Sequence, residues 1–160
     1  MELDAFDHRI LTALQRDADI SNTLLADAIG LSASACLRRV ARLKKLGVIR
    51  RVVAVIDPAK VNRALTAVVT VEFARHGSGY RQQFVGKVRS EAAITQCYVV
   101  TGEVSCVVIL HVHDMEEYLS LADRLFDQDE NVQAFHTYIV MQTVKQETSI
   151  PLEAPNRAGD

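Results

Sequence analysis

Apolar residues change their spacing partway along the chain, and the change divides it in two. Near the start, Phe6, Ile10, Leu11 and Leu14 recur at intervals of three and four, the signature of one helical face, with Asp4 placed to cap it. "DADIS" interrupts this pattern, and Ser21 then heads a short helix whose Leu24, Leu25, Ala28 and Ile29 share a side before Gly30 ends it. After the tight "GLS" connection Ser32 caps a third helix, in which Cys36, Val40, Leu43 and Gly47 fall on one side. On the other side fall Ser34, Arg38, Arg42 and Lys45, with Arg39 at the margin. "VIRRVVAVID" reads as a strand closed by Asp57-Pro58.

From Ala64 the period becomes two. "ALTAVVTVEF" alternates and predicts a strand, "HGSG" a turn, and Tyr80, Phe84 and Val88 a helix seam. "ITQCYVV" is a further strand, "TGE" a turn, and "VSCVVILHVH" a nearly continuous apolar strand of the kind covered on both faces. Asp114 and Glu117 predict a capping box for a helix over 115–128, with Met115, Leu119, Ala122 and Phe126 as its stripe and Tyr118, Leu121 and Leu125 beside it. "VQAFHTYIVMQTV" is the last strand, and "SIPLEAPNRAGD" a loosely held tail. Three helices and a strand followed by β-α-β-β-α-β predict an α+β chain. Its parts are a winged helix-turn-helix domain over 1–57, a linker over 58–64, a ferredoxin-like domain over 65–150 and a tail over 151–160.

Charge gives the first part a partner. The chain of 160 residues has a formal net charge of −2, yet between Gly30 and Val52 seven basic residues stand with no acidic one. Residues 111–160 carry ten acids against three bases, so the imbalance is between regions. A short helix, a tight turn and a capped basic helix have helix-turn-helix spacing, and double-stranded DNA is the polyanion such a unit fits. The small Ser32 and Ser34 allow the backbone to approach DNA. Arg38, Arg39 and Arg42 can reach base edges or phosphates with a planar, two-pronged donor, while Lys44, Lys45, Arg50 and Arg51 are placed for phosphates.

Other chemistry is thin. There is no GxSxG, P-loop or GxGxxG, so no catalytic residue is nominated and the chain is expected not to be an enzyme. His111 and His113 share a strand face without a third ligand, so no metal site and no cofactor are expected. Cys36, Cys97 and Cys106 form neither a disulfide framework nor a zinc pattern; Cys97 and Cys106, on neighbouring strands, read as packing residues. No apolar run is long enough to span a bilayer and the N-terminus lacks a signal-peptide core, so no membrane partner and a cytoplasmic location are expected.

The segments "LDAFDHRILTALQRDADISNTLLADAIGLSASACLRRVARLKKLGVI", "VVAVIDPAKV", "CYVVTGEVS", "HDMEEY" and "TYIVMQTVKQETSIPL", in this order and spacing, resemble the Lrp/AsnC (leucine-responsive/asparagine-type) transcription regulators over about residues 3–152. The resemblance implies a C-terminal domain that dimerises through its sheet and assembles further to tetramers or octamers. It also implies an amino acid or similar small molecule bound near the glycine turn between the second and third strands. On this chain that turn is Val100, Thr101, Gly102, Glu103, Val104 and Ser105, with His136 and Tyr138 of the last strand expected nearby. Ser105 stands where many members have Asp, Cys106 where an aromatic follows, and Ala33 and Ala35 where prolines are common. The function implied is sequence-specific transcription regulation responding to such an effector. The alternatives are a ligand-binding or enzymatic ferredoxin-like domain with a basic helical appendage, and a nucleoid-type protein that wraps DNA.

Overall fold

The computed structural model describes residues 2–152 apart from His76. The chain forms two compact units. One runs up to Ala54 and is completed by the segment from Lys145; the other is Val55–Val144. The division therefore falls before the expected linker 58–64, within the "VVAVI" stretch.

The first unit contains α1 (Ala5–Arg16), α2 (Asn22–Ile29) and α3 (Ala33–Lys45). Each starts at the expected cap. The Asp4 carboxylate accepts from the Phe6 and Asp7 N–H groups, the Ser21 hydroxyl from Leu24 N–H, and the Ser32 hydroxyl from Ala35 N–H. α2 ends at Gly30 with φ +75°, where the Leu31 N–H returns to the Ala26 carbonyl at 3.0 Å, a turn that a side chain at Gly30 would strain. Ile10, Leu11, Leu25, Ala26, Ile29, Cys36 and Leu43 make the core. On α2 the buried set is Leu25, Ala26 and Ile29; Leu24 is 61% exposed and Ala28 is also outside. The buried stripe is therefore corrected to the residues that meet α1 and α3 in the packed bundle.

One further expectation fails here. Residues 48–57 form no strand, and Val52, Val53, Val55 and Ile56 are all more than half exposed. β-propensity without a hydrogen-bonding neighbour does not make a strand. The first residues of the expected tail are anchored: the Ile150 N–H donates to Gln15 Oε1 at 2.6 Å, Gln15 Nε2 donates to the Ile150 carbonyl at 3.1 Å, and Leu152 packs on the three-helix core. Residues 153–160 of the expected tail, and His76 of the expected "HGSG" turn, lie outside the described residues.

The second unit begins with a 3-10 turn, Pro58–Val61, followed by β1 (Leu65–Phe73), α4 (Ser78–Ser90), β2 (Ile94–Val99) and β3 (Cys106–Val112). Then come α5 (Met115–Ala122), extended by a wider turn over Asp123–Asp127, and β4 (Val132–Ile139). The sheet order is β2-β3-β1-β4, antiparallel throughout, the split βαββαβ arrangement. One face carries Ala67, Val69, Val71 and Phe73 of β1 and Cys106, Val108, Leu110 and Val112 of β3, all buried under Phe84 and Val88 of α4 and Leu121, Leu125 and Phe126 of α5. Phe73 and Phe84 meet edge to face at 5.1 Å between centroids.

β3 alternates strictly between buried and half-buried, so helices cover only one of its faces. The opposite face shows Val107 and Ile109 beside Val68 and Thr70 of β1, Tyr98 of β2 and Tyr138 of β4. α5 turns its Tyr118, Leu121 and Ala122 side inward, leaving Met115 and Leu119, the latter 60% exposed, outside. Its capping box is displaced by one residue: Asp114 accepts from Glu117 N–H, but Glu117 accepts from His113 N–H and pairs with Arg63. Glu117 is held below the usual carboxylate range by the His113 N–H first and by Arg63 next.

Candidate functional site

α3 presents the basic segment. Cys36 and Leu43 are fully buried and seat the helix, and Asn22 Nδ2 ties its first turn to α2 by donating to the Ala33 carbonyl at 2.9 Å. Ser32, Ser34, Leu37, Arg38, Ala41 and Lys45 are exposed, as are Arg50 and Arg51 beyond it. Arg38, Lys45, Arg50 and Arg51 form no ion pair among the described residues.

Arg39 and Arg42 differ. Asp7, at the third position of α1, is completely buried, and its carboxylate is shared by both guanidinium groups: Arg39 Nη1 donates to Oδ1 at 3.0 Å and Arg42 Nη2 donates to Oδ2. Arg39 also donates to Asp4 Oδ2 at 2.7 Å and lies over the Phe6 ring, with Arg9 over the same ring. The Asp4 carboxyl is lowered from its usual value by the Asp7 N–H and further by Arg39. Arg39 and Arg42, read from the sequence as able to reach base edges or phosphates, thus also pin α3 to α1 through Asp7, and the Arg42 side chain stays 45% exposed. The sequence had no local sign of this, because Asp7 reads as an ordinary first-turn acid and its partners come more than thirty residues later.

In the second unit, the turn between β2 and β3 lines an open cavity of about 250 Å³. Val100, Thr101, Gly102, Val104 and Ser105 contribute from the turn, and Phe73, Arg75, Gly77 and Arg81 from the end of β1 and the start of α4. Gly102 has φ +134°, a conformation essentially closed to residues with a Cβ. Ser105 is fastened at three points: its N–H donates to the Val71 carbonyl at 2.8 Å, its carbonyl accepts from Val100 N–H, and its hydroxyl accepts from Phe73 N–H at 3.2 Å.

Three expected members are not in this cavity. Glu103 is exposed on the turn outside it, and His136 and Tyr138 pair with Thr70 and Val68 on the sheet face away from the helices. Period-two alternation places β4 residues on that face, and the register with β1 sets which. The missed members are Arg75 and Arg81. Arg75 donates to the Tyr80 hydroxyl at 3.1 Å, and neither arginine has a carboxylate partner among the described residues. Their position on either side of the "HGSG" connection was the available signal. The histidines of "HVHD" are engaged with neighbours: His111 Nδ1 lies 2.9 Å from Thr66 Oγ1 and His113 Nδ1 2.9 Å from Asp114 Oδ2, and burial lowers the His111 pKa.

Comparison with known proteins assigns the two units separately. Residues 3–50 match the winged helix-turn-helix DNA-binding family and residues 66–150 the Lrp/AsnC ligand binding domain. A helix-turn-helix transcriptional regulator of Sinorhizobium fredii is 35% identical over 96% of this chain and 90% of its own length. The leucine-responsive regulatory protein of Haemophilus influenzae is 34% identical over 94% and 91%. Among solved structures, a transcriptional regulator of Neisseria meningitidis in complex with L-Met superposes with a TM-score of 0.88 at 29% identity, over 94% of this chain and 97% of that one. Two domain matches in the right order and relatives aligned from end to end leave one assignment: the chain belongs to the Lrp/AsnC family of transcription regulators.

Proposed function

We propose that this regulator reads double-stranded DNA with the outer face of α3 and is controlled by an amino acid or similar carboxylate bound in the cavity beside Gly102. The observation that carries the effector half is a pair of cationic side chains, Arg75 and Arg81, facing a cavity that offers them no counter-charge. A carboxylate supplies that charge, and the bound L-Met of the Neisseria relative is a ligand of this class. Ser105 offers only a hydroxyl where an Asp would offer a charge to the ligand's ammonium, so this cavity favours recognition through the carboxylate end. The reading requires no cofactor, metal or catalytic step.

On the DNA side, Ser34, Arg38 and Lys45 are proposed to meet the groove and its phosphates, Ser32 to bring the helix start close, and Arg50 and Arg51 to touch the backbone. Arg39 and Arg42 set the angle at which this surface is presented. The open sheet face, with Val68, Val107, Ile109, Tyr98 and Tyr138, is proposed to be covered by a second copy, giving a dimer that can build tetramers or octamers and reads two half-sites. No helix among the described residues is long and apolar enough to cross a membrane, and cytoplasmic operation is part of this reading.

The test is paired. DNA titration at two salt concentrations, with specific and random sequence, should show affinity falling steeply with salt and favouring the specific site. Thermal unfolding with each common amino acid should show a raised midpoint for at least one. Salt-independent or absent DNA binding overturns the first half, and a flat amino-acid screen overturns the second.

A further inference from the structure

Of the large apolar side chains of α3, Leu37 alone is exposed, at 59%, and it stands outside the three-helix core that takes Val40 and Leu43. Helical spacing sets it in a row with Ala33 and Ala41, four residues to either side and both exposed. With only a methyl group on each flank, the leucine is the part of this row that projects furthest. Ser34, Arg38 and Arg42 form the next row, Lys44 and Lys45 follow in the last turn, and no acid occurs between Gly30 and Val52. An apolar row thus lies inside a cationic surface. Helix formation does not call for leucine here, since arginine, lysine or glutamine would serve as well without leaving apolar area in water.

We propose that Leu37 is a specificity-determining residue, which selects a thymine in each half-site by packing on its C5-methyl group. The inference rests on the reading that α3 enters the major groove, and it names what one position of that helix reads. Base edges in the groove are hydrogen-bond donors and acceptors except at thymine, which adds a methyl group. Leu37 lies in the first half of α3, the part of a recognition helix that meets base edges. Its side chain has neither donor nor acceptor. Seated on a thymine methyl it buries apolar area on both partners. Seated on the edge of guanine, adenine or cytosine it strips water from polar groups and gives them no new partner. Attraction to one base and a penalty at the others act together. Arg38, its neighbour, carries donors for a base edge or phosphate, so the two adjacent side chains read different chemistry.

The test uses the full-length protein to enrich a duplex from random sequence. Each thymine of the enriched site is then replaced singly by deoxyuridine, which lacks only the C5-methyl group, and affinity is measured at fixed salt. At one thymine in each half-site affinity should fall about fourfold, the worth of one methyl group removed from water. Leu37→Ala should bind the thymine and uracil forms of that position equally, with the unfolding midpoint of the wild type. An enriched site indifferent to every thymine methyl overturns the assignment of Leu37 without requiring any variant to fold. A methyl-sensitive thymine whose penalty persists in Leu37→Ala overturns it as well. Failure to enrich any sequence is a different result: it removes the DNA reading itself, and the assignment with it.

Discussion

The two units use arginine in opposite ways. In the first, Arg39 and Arg42 converge on one buried carboxylate, Asp7, and hold two helices together through it. In the second, Arg75 and Arg81 face a cavity without any acid to meet them. An arginine paired with a buried acid is part of the scaffold, and one facing open space without a counter-charge is available for a molecule from outside. The same distinction runs along α3, where Arg38 belongs to the second class although it adjoins Arg39.

The largest effect should come from removing the shared carboxylate. Asp7→Ala removes the carboxylate that Arg42 pairs with and one of the two that Arg39 pairs with, and is expected to destabilise the helical unit by about 3 kcal/mol, toward the low end for a broken buried pair because Arg39 keeps Asp4 and both arginines can partly rehydrate. Denaturant unfolding followed by helix signal checks this; a loss under about 0.5 kcal/mol would mean the arginines are not scaffold. Next, Arg38→Ala should weaken operator binding by about 1–3 kcal/mol with an unchanged unfolding midpoint, whereas Arg42→Ala should lower the midpoint first. Equal behaviour of the two variants in both assays would erase the distinction. Arg81→Ala should reduce affinity for a carboxylate effector about tenfold by calorimetry, the value of one charge-assisted contact in an open site, and leave DNA affinity of the unliganded protein alone.

The smallest effect concerns pH. Asp4 is lowered from its usual 3.8, chiefly by the Asp7 N–H and also by Arg39, so its cap stabilises the fold fully above that value and is lost as pH falls through the lower folded value. The stability difference between wild type and Asp4→Ala should therefore be constant near neutral pH and shrink below about pH 4. A difference that grows on acidification would contradict this sign.

Local chemistry made much of the fold legible. Asp4, Ser21, Ser32 and Asp114 are all caps where the sequence places them, because a cap is decided within three residues. The alternation of β1 and the burial of Phe84 and Val88 were equally local, while Tyr80 of the same seam is exposed. What failed depends on distant partners. "VVAVI" has the composition of a strand but no neighbour to pair with, Leu24 and Leu119 sit beside the buried stripes, and Asp7 acquires its meaning only from Arg39 and Arg42. At the candidate ligand site "TGE" was legible as a turn and its role followed from the family resemblance, but Arg75 and Arg81 are brought to it by the β1–α4 connection, which no motif announces. His136 and Tyr138, expected near that turn, pair with Thr70 and Val68 on the sheet face away from the helices.

The returning segment has a consequence for the order in which the molecule is made. Leu152 and the Gln15–Ile150 hydrogen bonds belong to the helical unit, yet they are encoded after the whole of Val55–Val144. A ribosome delivers α1, α2 and α3 first, but the unit that reads DNA stays unfinished until after all of Val55–Val144 has been synthesised. A nascent chain halted within the ligand-binding half would thus carry its basic helix without the last piece of its support.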